Sequence, residues 1–235
     1  MVESLKYISD YFGITQARVA LMALYDAKFN RNLLSGDDLK NVVKYIEHFH
    51  FAYNAICTKR TNALESTYSK FAVELTNATT KEMARKCIKE LYVKLEALYP
   101  AKDEFEKKFV EIRYSKKGSR TNLTAKYIVN LLQKYYEERE VEEDDGSIEH
   151  ILSESSGKEE SLNIGNLILL EGGLNKEAET FEFSEKKVVY QKSRYKQVKQ
   201  FCEAFVEWNE DGIKKRASQC AALIYDSILR REKEE

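Results

Sequence analysis

The chain has 235 residues, 33% of them charged, yet its formal net charge is only −1. This balance excludes a protein that binds nucleic acid through its overall charge, so any such site must be local. One proline and nine glycines in the whole chain disfavour an all-β sandwich or barrel and favour helices. The length fits two modest domains or one large helical domain.

The four cysteines lie far apart and show no Cys-x-x-Cys spacing, which argues against a zinc knuckle or a disulfide scaffold. No apolar stretch approaches the ~20 residues that a membrane span requires. The N-terminal segment also lacks the basic start and apolar run of a signal peptide. We therefore expect a cytoplasmic protein whose thiols are reduced and which does not enter a membrane.

Amphipathic patterns fill the first part of the chain. Apolar residues at three- and four-residue steps predict a helix over residues 39–56, capped near Gly36. A capping-box spacing that begins at Thr79 starts a second helix, which Pro100 ends. Shorter helical patterns lie at residues 5–27, 63–77, 103–114 and 122–138. These patterns predict an all-helical domain over residues 1–140.

The composition changes at residues 137–146, a charged stretch that ends in glycine and predicts a solvated loop. We place a domain boundary within it, so that residues 1–140 form one domain and residues 141–235 another. Two short apolar runs, at residues 147–152 and 164–170, then predict the strands of a hairpin.

Helical patterns return after the hairpin. A helix is predicted to begin near Asn175, and amphipathic helices follow at residues 201–208 and 213–228. The predicted fold class is therefore mainly α, in the α+β sense. A helical N-terminal domain precedes a unit of two strands and a helix, and further helices complete the C-terminal part.

Polar side chains that could perform chemistry stand at the ends of these elements. Glu149 and His150 end the first predicted strand, Asn166 opens the second, and Asn175 starts the following helix. This order resembles the ββα-metal fold of HNH nucleases. The resemblance implies that residues 141–235 form an HNH-like ββα-metal nuclease domain.

The residue types fit phosphodiester hydrolysis, which needs an activated water, neutralised phosphate charge and a stabilised leaving oxygen. A neutral imidazole accepts a proton from water at neutral pH, so His150 is the expected general base. Glu149 and Asn175 offer hard oxygen ligands, which suit one Mg²⁺ or Mn²⁺. The resemblance adds Asn166 to the catalytic set, as the residue that holds the loop orienting the histidine.

Longer strings around this set carry a more specific resemblance. They are Ile148-Glu149-His150-Ile151-Leu152 and Ile164-Gly165-Asn166-Leu167-Ile168-Leu169-Leu170, then Asn175, Phe183, Lys186, Lys187, Tyr190, Ser193, Trp208, Ile213 and Arg216. They resemble the C-terminal half of GmrSD-like type IV restriction proteins, the modification-dependent nucleases of bacterial phage defence. The helical region before them resembles the middle of those proteins. The resemblance implies a metal-dependent DNA endonuclease of HNH type, the effector of a restriction system that acts on modified or phage DNA.

Three departures from that family stand out. Ser153 replaces a proline that usually follows the His-Ile-Leu string, and Thr180 replaces an asparagine that is common after the metal-binding one. The chain also lacks the glycine-rich phosphate loop and the Asp-Gly-Gln-Gln-Arg string of the family's nucleotide-hydrolysing domain. We therefore expect a fragment or a separate subunit, with an NTPase domain or subunit as a partner.

Contacts with DNA are expected from local basic runs. One run contains Arg113, Lys116, Lys117, Arg120 and Lys126. The other contains Lys186, Lys187, Lys192, Arg194, Lys196 and Lys199, and it follows the predicted metal helix, where a phosphate backbone would pass. We assign DNA contact to Lys186, Lys187, Lys192, Arg194 and Arg216. The alternative is that both runs are ordinary solvated faces.

Two other functions remain open from the sequence. A catalytically weakened subunit could bind DNA or a partner NTPase as a scaffold, and a nuclease toxin could act on the host's own DNA. His48 and His50 do not suggest a second metal site, because a spacing of two on a helix points the side chains in different directions. We interpret both histidines as structural.

Overall fold

A computed structural model describes residues 1–116, 121–137 and 146–229. Within these ranges the protein is mainly helical, with one two-stranded sheet, which confirms the coarse fold class. Contacts divide the chain into two compact units, Met1–Lys102 together with Leu229, and Asp103–Ile228. The boundary predicted between residues 140 and 141 lies outside the described residues and stays a prediction.

The first unit is a set of helices. They are α1 (Val2–Lys6, continued by a π-helical turn over Tyr7–Tyr11), α2 (Arg18–Phe29), α3 (Gly36–His50, continued by a π-helical turn over Phe51–Ile56), α4 (Asn62–Asn77) and α5 (Lys81–Glu96). The pattern over residues 5–27 predicted one helix, but Gly13 adopts a positive φ of 67° between α1 and α2. Glycine tolerates this left-handed conformation, and it interrupts the helix.

Side-chain caps fix where two of these helices start. Asp38 N donates to Ser35 Oγ at 2.9 Å and Ser35 N donates to Asp38 Oδ2 at 2.8 Å, a capping box worth roughly 1 kcal/mol. The cap of α3 is therefore Ser35, one residue before the predicted position. The cap of α5 is Thr80, whose hydroxyl accepts from Met83 N at 3.2 Å.

His50 lies inside the first unit with both ring nitrogens engaged. Its Nδ1 is 2.6 Å from Asn54 Oδ1, and its Nε2 is 2.8 Å from Tyr68 Oη. Burial lowers the pKa of His50 to about 4. The histidine is therefore neutral and part of the core, as the structural interpretation predicts.

The second unit carries the sheet. Its elements are α6 (Lys102–Phe109, whose first residue is assigned to the first unit), α7 (Thr121–Glu137), β1 (Ser147–His150), β2 (Leu167–Leu170), α8 (Gly172–Ala178), α9 (Phe183–Tyr190), α10 (Lys196–Ala204) and α11 (Glu210–Leu223, continued by a π-helical turn over Ile224–Ile228). The strands pair antiparallel, with Ser147 opposite Leu170 and His150 opposite Leu167. The hairpin prediction is thus confirmed, with shorter strands. None of the described helices is long and apolar enough to cross a membrane.

The second strand is shorter because Ile164–Asn166 form a 3₁₀ turn. Asn163 Oδ1 accepts from Gly165 N at 2.8 Å and starts this turn. Helix α11 packs directly on it, and a Cβ on Gly165 would clash with the carbonyl oxygen of Ile213. Glycine at residue 165 therefore permits the close approach that holds the turn and β2 under α11.

Candidate functional site

A cavity of about 650 Å³ opens at the end of β1, entirely within the second unit. It is lined by Ser115, Lys116, Glu149, His150, Ser153, Glu154, Ser155, Gly157, Lys158, Glu159, Ser161, Leu162, Glu179 and Thr180. Two residues of the predicted site, Glu149 and His150, are among them. Both positions that depart from the family pattern, Ser153 and Thr180, also line it.

His150 is 3% exposed and is held at one ring nitrogen. Its Nε2 lies 3.4 Å from the carbonyl oxygen of Tyr114 and 3.9 Å from Glu154 Oε2. The centroids of the His150 and Tyr114 rings are 5.6 Å apart. Its Nδ1 is buried and has no hydrogen-bond partner among the described residues. A buried nitrogen without a partner is an exception among buried polar atoms, most of which are hydrogen-bonded.

The surroundings keep this imidazole neutral. Burial lowers the pKa of His150, and its contacts with Tyr114 and Glu154 oppose that effect only in part. At neutral pH one ring nitrogen therefore retains its lone pair, which is the requirement for a general base.

Glu149 is 3% exposed and is held by helix α9. Its Oε1 accepts from Lys186 Nζ at 2.6 Å and from the Tyr190 hydroxyl at 2.8 Å. Lys186 Nζ also donates to the carbonyl oxygen of His150 at 2.7 Å. All hydrogen bonds between Glu149 and other described side chains fall on Oε1, so Oε2 is the oxygen left for another ligand.

Asn175 lies in the middle of α8, which begins at Gly172, and not at the helix start that the sequence predicted. Its Nδ2 donates to Ser147 Oγ at 2.7 Å and to the carbonyl oxygen of Ile148 at 3.1 Å. These bonds fix the amide, and its Oδ1 makes no hydrogen bond within the described residues. Alternate residues of a strand share a face, so Asn175 lies on the same face of β1 as Glu149.

The donor atoms on this face suit a hard divalent cation. The described residues contain no group of three or more His, Cys, Asp or Glu side chains placed to hold a metal. Mg²⁺, however, commonly uses one or two protein oxygens and completes its shell with water and substrate phosphate. Glu149 Oε2 and Asn175 Oδ1 are oxygen donors of the type that Mg²⁺ prefers, and Asn175 does not line the cavity as the structure describes it.

Asn166 joins the loop after β1 to the rest of the unit. Its Oδ1 accepts from Leu152 N at 2.7 Å and from Trp208 Nε1 at 2.9 Å. Its Nδ2 donates to the carbonyl oxygens of Leu152, at 2.8 Å, and Ser161, at 2.7 Å. The side chain is fully buried. These contacts make Asn166 a support for the segment that follows His150, and it does not line the cavity as the structure describes it.

Two of the five residues assigned to DNA are buried, which corrects their assignment. Lys186 is completely buried in its ion pair with Glu149. Arg216 is 6% exposed, and its Nη1 donates to the carbonyl oxygens of Gly165 at 2.7 Å and Leu167 at 2.8 Å. Their cationic groups hold the fold together and do not face solvent.

The other three basic residues differ in exposure. Lys187 is half-buried and donates to the carbonyl oxygen of Phe205 at 2.9 Å. Lys192 is 52% exposed and forms an ion pair with Glu177, and Arg194 is 63% exposed. Lys192 and Arg194 therefore retain the exposure that a phosphate contact requires. Lys117 and Arg120 of the first basic run lie outside the described residues.

Sequence reasoning missed Glu154, which contacts the histidine that it did find. Glu154 stands four residues after His150 in a 3₁₀ turn, so neither helical nor strand spacing marks it. Ser115 and Lys158 were also missed. Only the return of residues 114–116 to the hairpin brings Ser115 to the cavity.

A family model described as GmrSD restriction endonucleases, C-terminal domain, matches residues 99–223, just over half of the chain. The matched segment contains β1, β2 and the whole lining of the cavity. The comparison with curated proteins gives no match.

Proposed function

Because the chain belongs to the family of GmrSD restriction endonuclease C-terminal domains, we propose that it cleaves DNA by an HNH-type, metal-dependent mechanism. The observation that carries this proposal is the state of His150. It is a neutral imidazole, held at Nε2, whose buried Nδ1 has no partner among the described residues and which lines a polar cavity.

In this mechanism His150 acts as the general base. Its Nδ1 accepts a proton from a water molecule as the water oxygen forms a bond to phosphorus and the 3′ oxygen leaves. Tyr114 holds the ring through its carbonyl oxygen. Asn166 fixes the segment after His150 through four side-chain hydrogen bonds, so the base keeps its orientation.

We assign Glu149 Oε2 and Asn175 Oδ1 as the protein ligands of one Mg²⁺ or Mn²⁺. When bound, the cation neutralises charge on the phosphate and on the leaving oxygen. Lys186 and Tyr190 hold the other carboxylate oxygen of Glu149, which restricts the direction in which Oε2 points. Asn175 is held in the same way by the bonds of its Nδ2.

We further propose that Lys192 and Arg194 contact the DNA backbone, and that modified or phage DNA is the substrate. The exposure of both side chains supports the first proposal, and the type IV resemblance supports the second. An NTPase domain or subunit as partner rests on the same resemblance.

One observation favours a second candidate, a scaffold that binds DNA without cutting it. The Lys186 ammonium already lies 2.6 Å from the carboxylate that would hold the metal, and like charges repel. Ser153 and Thr180, the two departures from the family pattern, both line the cavity. In this alternative the ion pair of Lys186 and Glu149 is purely structural.

A plasmid-nicking assay on the full chain separates the two functions. It compares Mg²⁺, Mn²⁺ and EDTA on unmodified DNA and on base-modified phage DNA, with His150→Ala, Asn175→Ala and Lys176→Ala beside the wild type. Lys176 is the exposed neighbour of Asn175 on α8 and serves as the matched control. We expect metal-dependent cleavage that falls by roughly 10²- to 10⁴-fold in His150→Ala and that Lys176→Ala retains. A folded wild type that binds DNA but cuts neither substrate with either metal would support the scaffold.

A further inference from the structure

Glu154 connects His150 to a distant part of the chain. Its Oε1 accepts from the Ser115 hydroxyl at 2.6 Å, and its Oε2 accepts from Lys116 N at 3.4 Å. The same Oε2 lies 3.9 Å from His150 Nε2. The carboxylate therefore stands between the histidine and the segment that precedes α7.

That segment is itself anchored to the hairpin loop. Tyr114 N donates to the carbonyl oxygen of Leu162 at 2.8 Å, and Ile164 N donates to the carbonyl oxygen of Ile112 at 3.0 Å. These backbone bonds fix the Tyr114 carbonyl and the Ser115 hydroxyl relative to His150. The position of Glu154 beside Nε2 is thus set by the fold and not by a flexible side chain alone.

The two groups that face Nε2 are both acceptors. A neutral imidazole carries one N–H, and which nitrogen carries it follows from the neighbouring groups. A carbonyl oxygen and a carboxylate both favour the proton on Nε2, which leaves the lone pair on Nδ1. The hydrogen bond between His150 Nε2 and the Tyr114 carbonyl oxygen is long, at 3.4 Å, and therefore weak by itself. A nearby negative charge strengthens the preference, since a buried site screens charge less than water does.

Glu154 has the charge that this role requires. Burial acts to raise its pKa, but the hydrogen bonds from Ser115 and from Lys116 N, with the charge of Lys116, lower the pKa below its usual value. The carboxylate is therefore ionised at neutral pH.

We propose that Glu154 is a positioning residue that keeps the proton of His150 on Nε2 and so leaves the lone pair on Nδ1. The role of this lone pair as the general base rests on the proposed function. The preference for one tautomer can be measured without metal, DNA or cleavage.

The test is long-range ¹H–¹⁵N correlation NMR of the full chain at neutral pH, which reports which nitrogen of each imidazole carries the proton. The chain has three histidines, and the signals missing from His150→Gln identify His150. We expect the wild type to show a protonated Nε2 and an unprotonated Nδ1. In Glu154→Gln and Glu154→Ala the two nitrogen resonances should move towards each other, because the other tautomer becomes populated.

Two carboxylates in the same cavity provide matched controls. Glu159 and Glu179 line it and are exposed, and no hydrogen bond or ion pair connects either with His150 in the described structure. Glu159→Gln and Glu179→Gln remove the same charge and should leave the His150 resonances unchanged. Equal shifts in all three Gln variants would overturn the proposal, because general cavity charge would then explain them. Unchanged resonances in a folded Glu154→Gln would also overturn it.

A kinetic readout separates this inference from the proposed function. A carboxylate that orients a catalytic histidine acts on kcat, so Glu154→Gln should lower kcat by about tenfold or more at unchanged KM. NMR shifts in a protein that never cuts DNA would retain the inference and refute the nuclease. If the wild type cuts DNA but the Glu154 variants show no change of tautomer, the nuclease proposal is retained and the inference about Glu154 is refuted.

Discussion

Lys186 donates a hydrogen bond of 2.6 Å to Glu149, and both side chains are almost completely buried. The pair joins α9 to the end of β1, where the proposed general base His150 stands. Removing one partner of a buried ion pair leaves the other charge without compensation in a poorly solvating interior. Substitution of Lys186 should therefore lower the stability of the second unit and release the Glu149 carboxylate from its position.

We expect Lys186→Met to lower the free energy of unfolding by about 3–5 kcal/mol, since methionine keeps much of the volume and removes the charge. Lys192→Met is the matched control, because Lys192 is 52% exposed and its ion pair with Glu177 is at the surface. That control should change stability by no more than about 1 kcal/mol. Urea denaturation followed by circular dichroism measures both. Equal losses would contradict the structural role of the buried pair.

Asn166→Ala should release the segment that follows His150. The substitution removes four side-chain hydrogen bonds, of which the one to the Ser161 carbonyl oxygen is buried and the other three are partly buried. A buried partner left unsatisfied costs about 1–3 kcal/mol. Hydrogen exchange of the Leu152 amide measures the effect directly, because this amide donates to Asn166 Oδ1. We expect faster exchange there than at Ile151, whose amide donates to the backbone oxygen of Asn166. Unchanged exchange at Leu152 would argue against the supporting role.

Gly165→Ala tests the contact between the 3₁₀ turn and α11. A Cβ at residue 165 would clash with the Ile213 carbonyl oxygen and lie 2.9 Å from Ala217 N, both of them backbone atoms that cannot rotate away. We expect a loss of about 1–3 kcal/mol in unfolding free energy. Gly172→Ala is the control, since no atom lies within 4 Å of its added Cβ. A thermal melt that ranks the two variants equally would refute the proposed close packing.

Replacing Lys192 and Arg194 by alanine should weaken DNA binding without changing the fold. Each lost phosphate contact should reduce the slope of log affinity against log salt by about 1. Lys70→Ala in the first unit is the control, because its side chain is 66% exposed, much as those of Lys192 and Arg194 are. Fluorescence anisotropy over a series of salt concentrations gives the slopes. Identical slopes for wild type and the double variant would place the DNA contact elsewhere.

Stability should fall with acid because of His50. In the unfolded chain this histidine binds a proton below its ordinary pKa of 6.5, whereas in the fold its pKa is about 4. The unfolded state therefore binds more protons between these values, so the contribution is complete above pH 6.5 and is lost as the pH falls towards 4. We expect about 3 kcal/mol of this loss to be absent in His50→Gln. Urea denaturation of both proteins at several pH values checks it, and parallel curves would contradict the role of burial.

Much of the fold and the family could be predicted from the sequence. Three- and four-residue apolar steps predicted α3 and α5, and two short apolar runs predicted the hairpin. The Glu149-His150 pair and Gly165-Asn166-Leu167 identified the family, and the family match confirms it. These features depend on local periodicity and on residue order, which tertiary packing does not change.

Only the tertiary structure decided which charged residues face solvent and which residues meet at His150. One basic run contains three lysines that differ in exposure. Lys186 is buried in an ion pair and Lys187 is half-buried, whereas Lys192 is exposed. Glu154 reaches His150 through the return of residues 114–116, whose contacts join positions far apart in the chain. The physical reason is that the burial and pairing of a charge depend on what packs against it, which neither spacing nor composition records.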